Sequence, residues 1–116
     1  MKSVVVVEDD LAIAETIRMM LDESYAVTVC HTADSVPDGA GPSLVITDLL
    51  GRNGYDSATA IRTVREARSR TRAPVLVLTA HGAAMADRAL ANEANGVLTK
   101  PFQMDELLAM VERLAV

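Results

Sequence analysis

Short apolar, β-branched runs alternate along this chain with longer stretches whose apolar residues repeat at helical spacing. The runs occupy residues 4–7 (VVVV), 26–30 (AVTVC), 44–47 (LVIT), 75–78 (VLVL) and 96–99 (GVLT). Four or five residues is strand length, and their near-continuous apolar character predicts strands covered on both faces. Between the first two runs Ile13, Ile17 and Leu21 recur at i+4 with Met20 beside them, and Asp10 stands where a helix N-cap belongs. Ile61 and Val64 mark a helix over residues 56–68, and Met104, Leu107, Leu108, Val111 and Leu114 form the strongest stripe in the chain. Residues 83–92 are Ala-rich, which predicts a helix with a poor apolar face. After Cys30 the pattern is weakest, since Pro37 and Gly39 leave room for one or two helical turns. Strand–helix alternation of this kind predicts one α/β domain over residues 1–116: five βα units, a doubly wound parallel sheet, right-handed crossovers and helices on both faces.

Composition narrows the class. The chain has 116 residues, 50% of them hydrophobic and 23% charged, so it can build a core and is not of disordered type. One cysteine, Cys30, excludes an internal disulfide framework and a Cys-rich zinc site; at the end of a buried strand it is expected to be inert. No apolar run near the start approaches a signal-peptide core or a membrane span, so a soluble cytoplasmic protein is expected. The net charge is −5, and the only aromatics are Tyr25, Tyr55 and Phe102. Both argue against a nucleic-acid surface, which needs a basic face with stacking side chains.

The acids are not spread evenly. In parallel sheets, ligands sit beyond the carboxyl ends of the strands. The first run ends in Glu8-Asp9-Asp10, the third in Asp48, the fourth in Thr79-Ala80 and the fifth in Lys100-Pro101. Two carboxylates about 5 Å apart repel by roughly 3 kcal/mol at an effective dielectric of 20, so Glu8, Asp9 and Asp48 need a cation or a proton. Hard oxygen donors of this type suit Mg²⁺. The plainer reading is that Glu8-Asp9-Asp10 begins a helix, where acids suit the dipole; for Asp10 alone the cap is the better reading. A strand-end carboxylate such as Asp48 can attack phosphorus to form an acyl phosphate, with a hydroxyl (Thr79) and an ammonium (Lys100) answering the charge of the transition state. Singly, Thr79 reads as a β-branched strand residue and Lys100 as a solvated charge; their joint placement favours the chemical reading.

VVVVEDD, LVITD, VLVLTA and TKPF, in this order and at these separations, resemble the receiver domain of bacterial response regulators over the whole chain. The resemblance implies a flavodoxin-like fold with strand order 2-1-3-4-5. It implies that Asp48 takes a phosphoryl group from the phosphohistidine of a histidine kinase or a histidine phosphotransfer protein. Glu8, Asp9 and Asp48 would hold Mg²⁺ (or Mn²⁺), Asp9 directly and Glu8 through water, with the backbone carbonyl of Leu50 as a further ligand. Thr79 and Lys100 would contact the phosphoryl group, and Ala80, His81 and Val97 would modulate the response. The Lys100–Pro101 bond would be cis. Such a domain is a signalling phospho-acceptor that shifts its affinity for a downstream protein target, not an enzyme on an outside substrate, and it binds neither nucleic acid nor membrane.

Two features depart from the family pattern. After Asp48 the chain reads Leu-Leu-Gly-Arg-Asn-Gly54, a shorter and more Gly-rich loop, and Val97 stands where the family carries Tyr or Phe. A β-branched Val has little to rotate into. A receiver-like interaction module not switched in the usual way is therefore a competing expectation. A haloacid-dehalogenase-type phosphatase is a weaker one, since it would want Asp-x-Asp at the first strand end. A Toprim-type metal domain would want an Asp where Leu50 stands, and a nucleotide site lacks its Gly-rich turn. Arg62, Arg65, Arg68, Arg70 and Arg72 read as a solvated helix face. Met85, Met104 and Met110 read as core, with partner contacts as the other use of Met. Setting aside Glu8, Asp9, Asp10 and Asp48 leaves twelve acids against eleven bases, so the acidity belongs largely to one site.

Overall fold

A computed structural model describes residues 1–32, 41–49 and 54–116. Its strands are β1 (Lys2–Val7), β2 (Tyr25–Cys30), β3 (Leu44–Asp48), β4 (Val75–Thr79) and β5 (Gly96–Thr99). Its helices are α1 (Leu11–Leu21), α2 (Ser57–Thr71), α3 (Arg88–Glu93) and α4 (Met104–Leu114). All strand pairs are parallel and the order is β2-β1-β3-β4-β5, as the pattern and the resemblance imply. Because β1 is flanked by β2 and β3, the winding reverses there, and the ends of β1 and β3 form the mouth at which such sheets bind ligands.

Alternation along each central strand divides the core. Val4, Val6, Leu44, Ile46, Leu76 and Leu78 face α1 and α4, where Ile17, Leu21, Leu107 and Val111 close over them. Val5, Val7, Val45, Val75 and Val77 face the other way, toward Ala60, Val64 and Ala67 of α2 and Leu90 of α3. On the first face β5 must come close to α4. A Cβ at Gly96 would lie 2.8 Å from Met110 Cε and 2.9 Å from Leu114 Cδ1, so glycine permits that contact.

Three expectations need correction. β2 is an edge strand whose Ala26 and Thr28 are exposed while Tyr25, Val27 and Val29 are half-buried, so it is not covered on both faces. The stretch 83–92 is not one helix: a 3-10 turn (Gly82–Ala86) is followed by α3. Asp87 separates them, its Oδ1 accepting from the N–H groups of Ala89 (3.0 Å) and Leu90 (3.2 Å). A capping carboxylate competes with the helix that would otherwise run through it. Met85 and Met104 are exposed, at 55% and 49%, and only Met110 packs against the core. Four α-helices are present among the described residues; the segment holding Pro37 and Gly39 lies outside them.

Capping sets the other helix ends. Asp10 caps α1 as expected, its Oδ1 accepting from Ala12 N–H (2.9 Å) and Ile13 N–H (3.2 Å). Asp56 caps α2 through Thr59 N–H at 3.1 Å. α2 runs past residue 68 to Thr71 and stops where Arg72 enters the left-handed region (φ 59°), its N–H returning to Arg68 O.

Candidate metal and phosphoryl site

β1 and β3 end side by side, and β5 follows β4 on the far side, so the chain delivers Glu8, Asp9, Asp48 and Lys100 to one mouth. Glu8 is fixed first. Its N–H continues the β1–β2 pairing by donating to Cys30 O at 2.9 Å, which leaves its side chain 1% exposed under the end of the sheet. There Glu8 Oε1 accepts from Asp10 N–H at 3.2 Å and Oε2 accepts from the Lys100 ammonium at 3.0 Å. Lys100 donates equally to Asp48 Oδ1, also at 3.0 Å. One ammonium thus bridges two carboxylates from two strands and leaves one negative charge unbalanced.

The two shifted groups of this triad report a site held in balance. Burial pushes the Glu8 carboxyl above the ordinary Glu value, against the pull of the Lys100 and Asp10 hydrogen bonds. Burial also works against the charge of Lys100, yet its bonds to Asp48 and Glu8 outweigh it and raise the ammonium above the usual Lys value. A desolvated ion pair is tolerated only with such complete hydrogen bonding. Among the described residues, Glu8, Asp9 and Asp48 are also a group able to hold a cation: each offers one oxygen, all within 4.8 Å of one another. Glu8 is buried, Asp48 partly accessible and Asp9 exposed, so the cluster opens toward solvent on one side. Hard carboxylate donors with an open side fit Mg²⁺, which keeps several waters.

The remaining candidates take distinct places. Thr79 is fully buried at the end of β4, and its Oγ1 accepts from His81 N–H at 3.0 Å. Lys100 N–H donates to Thr79 O at 2.8 Å, which ties β5's exit to β4, and the Lys100–Pro101 peptide is cis. Ala80 is exposed and borders an apolar groove of about 540 Å³ with Ile13, Met20, Lys100 and Phe102. His81 is half-buried just beyond the end of β4. Val97, opposite Val77, packs half-buried on the α2–α3 side of the sheet. Leu50 and the Gly51–Asn53 part of the loop lie outside the described residues. The arginines of α2 are partly engaged: Arg65 pairs with Glu93 at 2.6 Å, and Arg68 reaches Asn95 Oδ1 at 3.0 Å.

Sequence reasoning missed two neighbours. His31, just beyond β2, places Nδ1 3.2 Å from Glu8 O. Tyr55 hydrogen-bonds to Asp87, and its ring centroid lies 6.4 Å from that of His81. Neither has a local signal, because each contact joins segments more than twenty residues apart.

Comparison with known proteins agrees with this arrangement. The family described as response regulator receiver domain matches residues 4–112. An uncharacterized transcriptional regulatory protein of Bacillus subtilis, YkoG, is 34% identical over 114 residues, covering 93% of this chain and 48% of its own. The transcriptional regulatory protein CpxR of Escherichia coli is 30% identical, covering 98% of this chain and 49% of its own. The chain therefore spans about half the length of the curated relatives it matches. Among solved structures, the BeF3-activated receiver domain of DrrB superposes with a TM-score of 0.79 at 25% identity, covering 98% of this chain and 97% of that one. The receiver domain of a sensor histidine kinase from Pseudomonas aeruginosa, solved with a magnesium ion in its active-site cleft, gives 0.74 at 25% identity, covering 97% and 96%. Fold, acidic cluster and family match concur, and the chain belongs to the response regulator receiver domains of two-component systems.

Proposed function

We propose that Asp48 is a phospho-acceptor, loaded from the phosphohistidine of a histidine kinase or histidine phosphotransfer protein, and that Glu8, Asp9 and Asp48 hold the Mg²⁺ this reaction uses. The observation that carries the reading is the Lys100 ammonium, shared at 3.0 Å between Glu8 Oε2 and Asp48 Oδ1 beside the exposed Asp9 carboxylate.

The chemistry follows from the residues. A carboxylate oxygen of Asp48, a side chain 13% exposed, attacks the phosphorus of an N-phosphorylated imidazole. An O–P bond forms, the P–N bond breaks, and the imidazole nitrogen leaves with the electron pair and takes a proton. Bound Mg²⁺ supplies positive charge against the developing charge on the phosphoryl oxygens. Lys100 would answer the same charge, and before reaction it holds Asp48 in place. Thr79, whose Oγ1 accepts from His81 N–H, offers its hydroxyl as a donor. Water attack on phosphorus then returns the carboxylate, so the domain is a timed acceptor and not an enzyme on an outside substrate. The relatives' names place such domains in transcriptional regulators, and a downstream output target is the corresponding expectation here.

Incubation with Mg²⁺ and acetyl phosphate tests this directly. The expected result is a hydroxylamine-labile phosphoryl adduct on Asp48, absent in Asp48→Asn and lost on chelation of the metal. Asp9→Asn should raise the Mg²⁺ requirement at least tenfold. An intact, folded wild-type protein that takes no phosphoryl group would overturn the reading.

A further inference from the structure

Beyond the acceptor site, one line of contacts leads from Thr79 to a helix that carries none of the chemistry. Thr79 Oγ1 accepts from the N–H of His81 at 3.0 Å. The His81 ring lies against the Tyr55 ring, with centroids 6.4 Å apart and planes tilted by 45°, within the range of aromatic contact. The Tyr55 phenol donates to Asp87 Oδ2 across 32 residues. The other Asp87 oxygen, Oδ1, caps α3 through Ala89 N–H and Leu90 N–H. Tyr55 itself packs half-buried on the core cluster that includes Ala84 of the 3-10 turn and Leu90 of α3.

We infer that Tyr55 is the relay of this receiver: it couples the Thr79–His81 segment to the N-terminus of α3 through its bond to Asp87.

The physical case rests on where the contacts are weak and where they are strong. β5 offers no aromatic side chain, its four residues being Gly96, Val97, Leu98 and Thr99. α3 has only six residues, of which Leu90 alone is buried; its C-terminal end is tied to α2 through Glu93, so its N-terminal end depends on the cap. Asp87 is therefore the point at which a small displacement changes most. Its carboxyl sits below the usual Asp range because Ser57 and Tyr55 donate to it, and the Tyr55 phenol is pushed up to about 12 by burial and by Asp87. If Thr79 turns its hydroxyl toward a phosphoryl group on Asp48, the His81 amide must follow or lose its acceptor. The His81 ring then shifts against Tyr55, and the phenol moves relative to Asp87. This coupling presupposes the phospho-acceptor reading, but its parts exist in the unmodified protein and can be tested there.

The test follows the backbone amides of Ala89 and Leu90 by ¹⁵N NMR, with and without beryllofluoride plus Mg²⁺. Two variants remove the link in different ways. Tyr55→Phe keeps the ring and deletes the donor. Asp87→Asn keeps an amide oxygen to cap α3 but loses one of the two acceptor oxygens. In the wild type, beryllofluoride should shift both amides. At equal loading of Asp48, each variant should cut that response at least twofold, and the double variant should cut it no further. A general loss of stability would not produce that non-additivity. A wild-type-sized response in Tyr55→Phe, or no response at Ala89 and Leu90 in the loaded wild type, overturns the relay. If beryllofluoride does not bind at all, the phospho-acceptor reading fails instead. The relay is then read from Thr79→Val without ligand: it stands if that change shifts Ala89 and Leu90 in the wild-type background but not in Tyr55→Phe, and falls otherwise.

Discussion

The two faces of the sheet are built on different principles. Against α1 and α4 the strands present Leu44, Ile46, Leu76 and Leu78, and the helices answer with Ile17, Leu21 and Leu107, all essentially inaccessible. Against α2 and α3 they present valines, and the helices answer with Ala60, Ala67, Val64 and Leu90. Small side chains bring helix and sheet close but bury less apolar area per contact. What the second face lacks in area it makes up with polar links: Tyr55 to Asp87, Arg65 to Glu93, Arg68 to Asn95, and Asn95 Oδ1 accepting from Val75 N–H at 2.9 Å. A close-packed Leu–Ile layer resists small rearrangements because any shift opens a void. The cluster of Glu8, Asp9 and Asp48 lies at the sheet's carboxyl edge between these layers.

Large-to-small substitution is the strongest way to break that contrast. Leu107→Ala removes the branched end of the side chain, Cγ and both Cδ, from a fully buried position and should cost about 2–5 kcal/mol. Val64→Ala, equally buried on the other face, should cost only about 1–2 kcal/mol, because less apolar area is lost. Urea denaturation of both variants measures the difference. Equal losses would mean that the two faces carry the same packing energy.

The difference between the faces also explains what the chain disclosed in advance. The central strands and the α4 stripe were readable because continuous apolar runs and a 3.6-residue period are properties of neighbouring residues. The site was readable for a related reason: Glu8, Asp48, Thr79 and Lys100 each end a strand, and parallel topology gathers strand ends. The exposure of Ala26 and Thr28 was not, since AVTVC reads the same in an edge strand as in a central one. Nor was the break at Asp87 within an Ala-rich stretch, where one capping side chain overrides the propensity of its neighbours. Tyr55 stood in the sequence only as one of three aromatics. Its partners His81 and Asp87 come from beyond α2 and β4, and no local period encodes such a meeting.

Alkaline titration sharpens the comparison on the polar face alone. An unfolded tyrosine ionises near 10, whereas Tyr55 in the fold is pushed up to about 12 by burial and by Asp87. Between those values the unfolded chain gives up its phenolic proton first, so stability contributed by Tyr55 is full below pH 10 and falls as pH rises toward 12. The loss should be on the order of 2 kcal/mol. Comparing urea midpoints of wild type and Tyr55→Phe across this range isolates it, because Lys100 and the arginines titrate alike in both. Parallel curves would show that Tyr55 is not held as described.

The smallest effect belongs to the outermost link. Arg65 pairs with Glu93 at 2.6 Å, but the Arg65 side chain is 67% exposed, so water competes for both charges. The neighbouring Arg68 also reaches Glu93 and holds Asn95 at 3.0 Å, so the α2–α3 contact has a second attachment. Arg65→Ala should therefore leave the urea midpoint almost unchanged, and any shift should vanish in 0.5 M salt, roughly where screening of exposed pairs is nearly complete. Arg68→Ala removes the attachment that also meets Asn95, the residue that binds Val75 at the start of β4, and should shift the midpoint more. If the order is reversed, the polar face is held at its rim and not at the β4–β5 edge. The relay through Asp87 would then have to move α3 against a tethered Glu93.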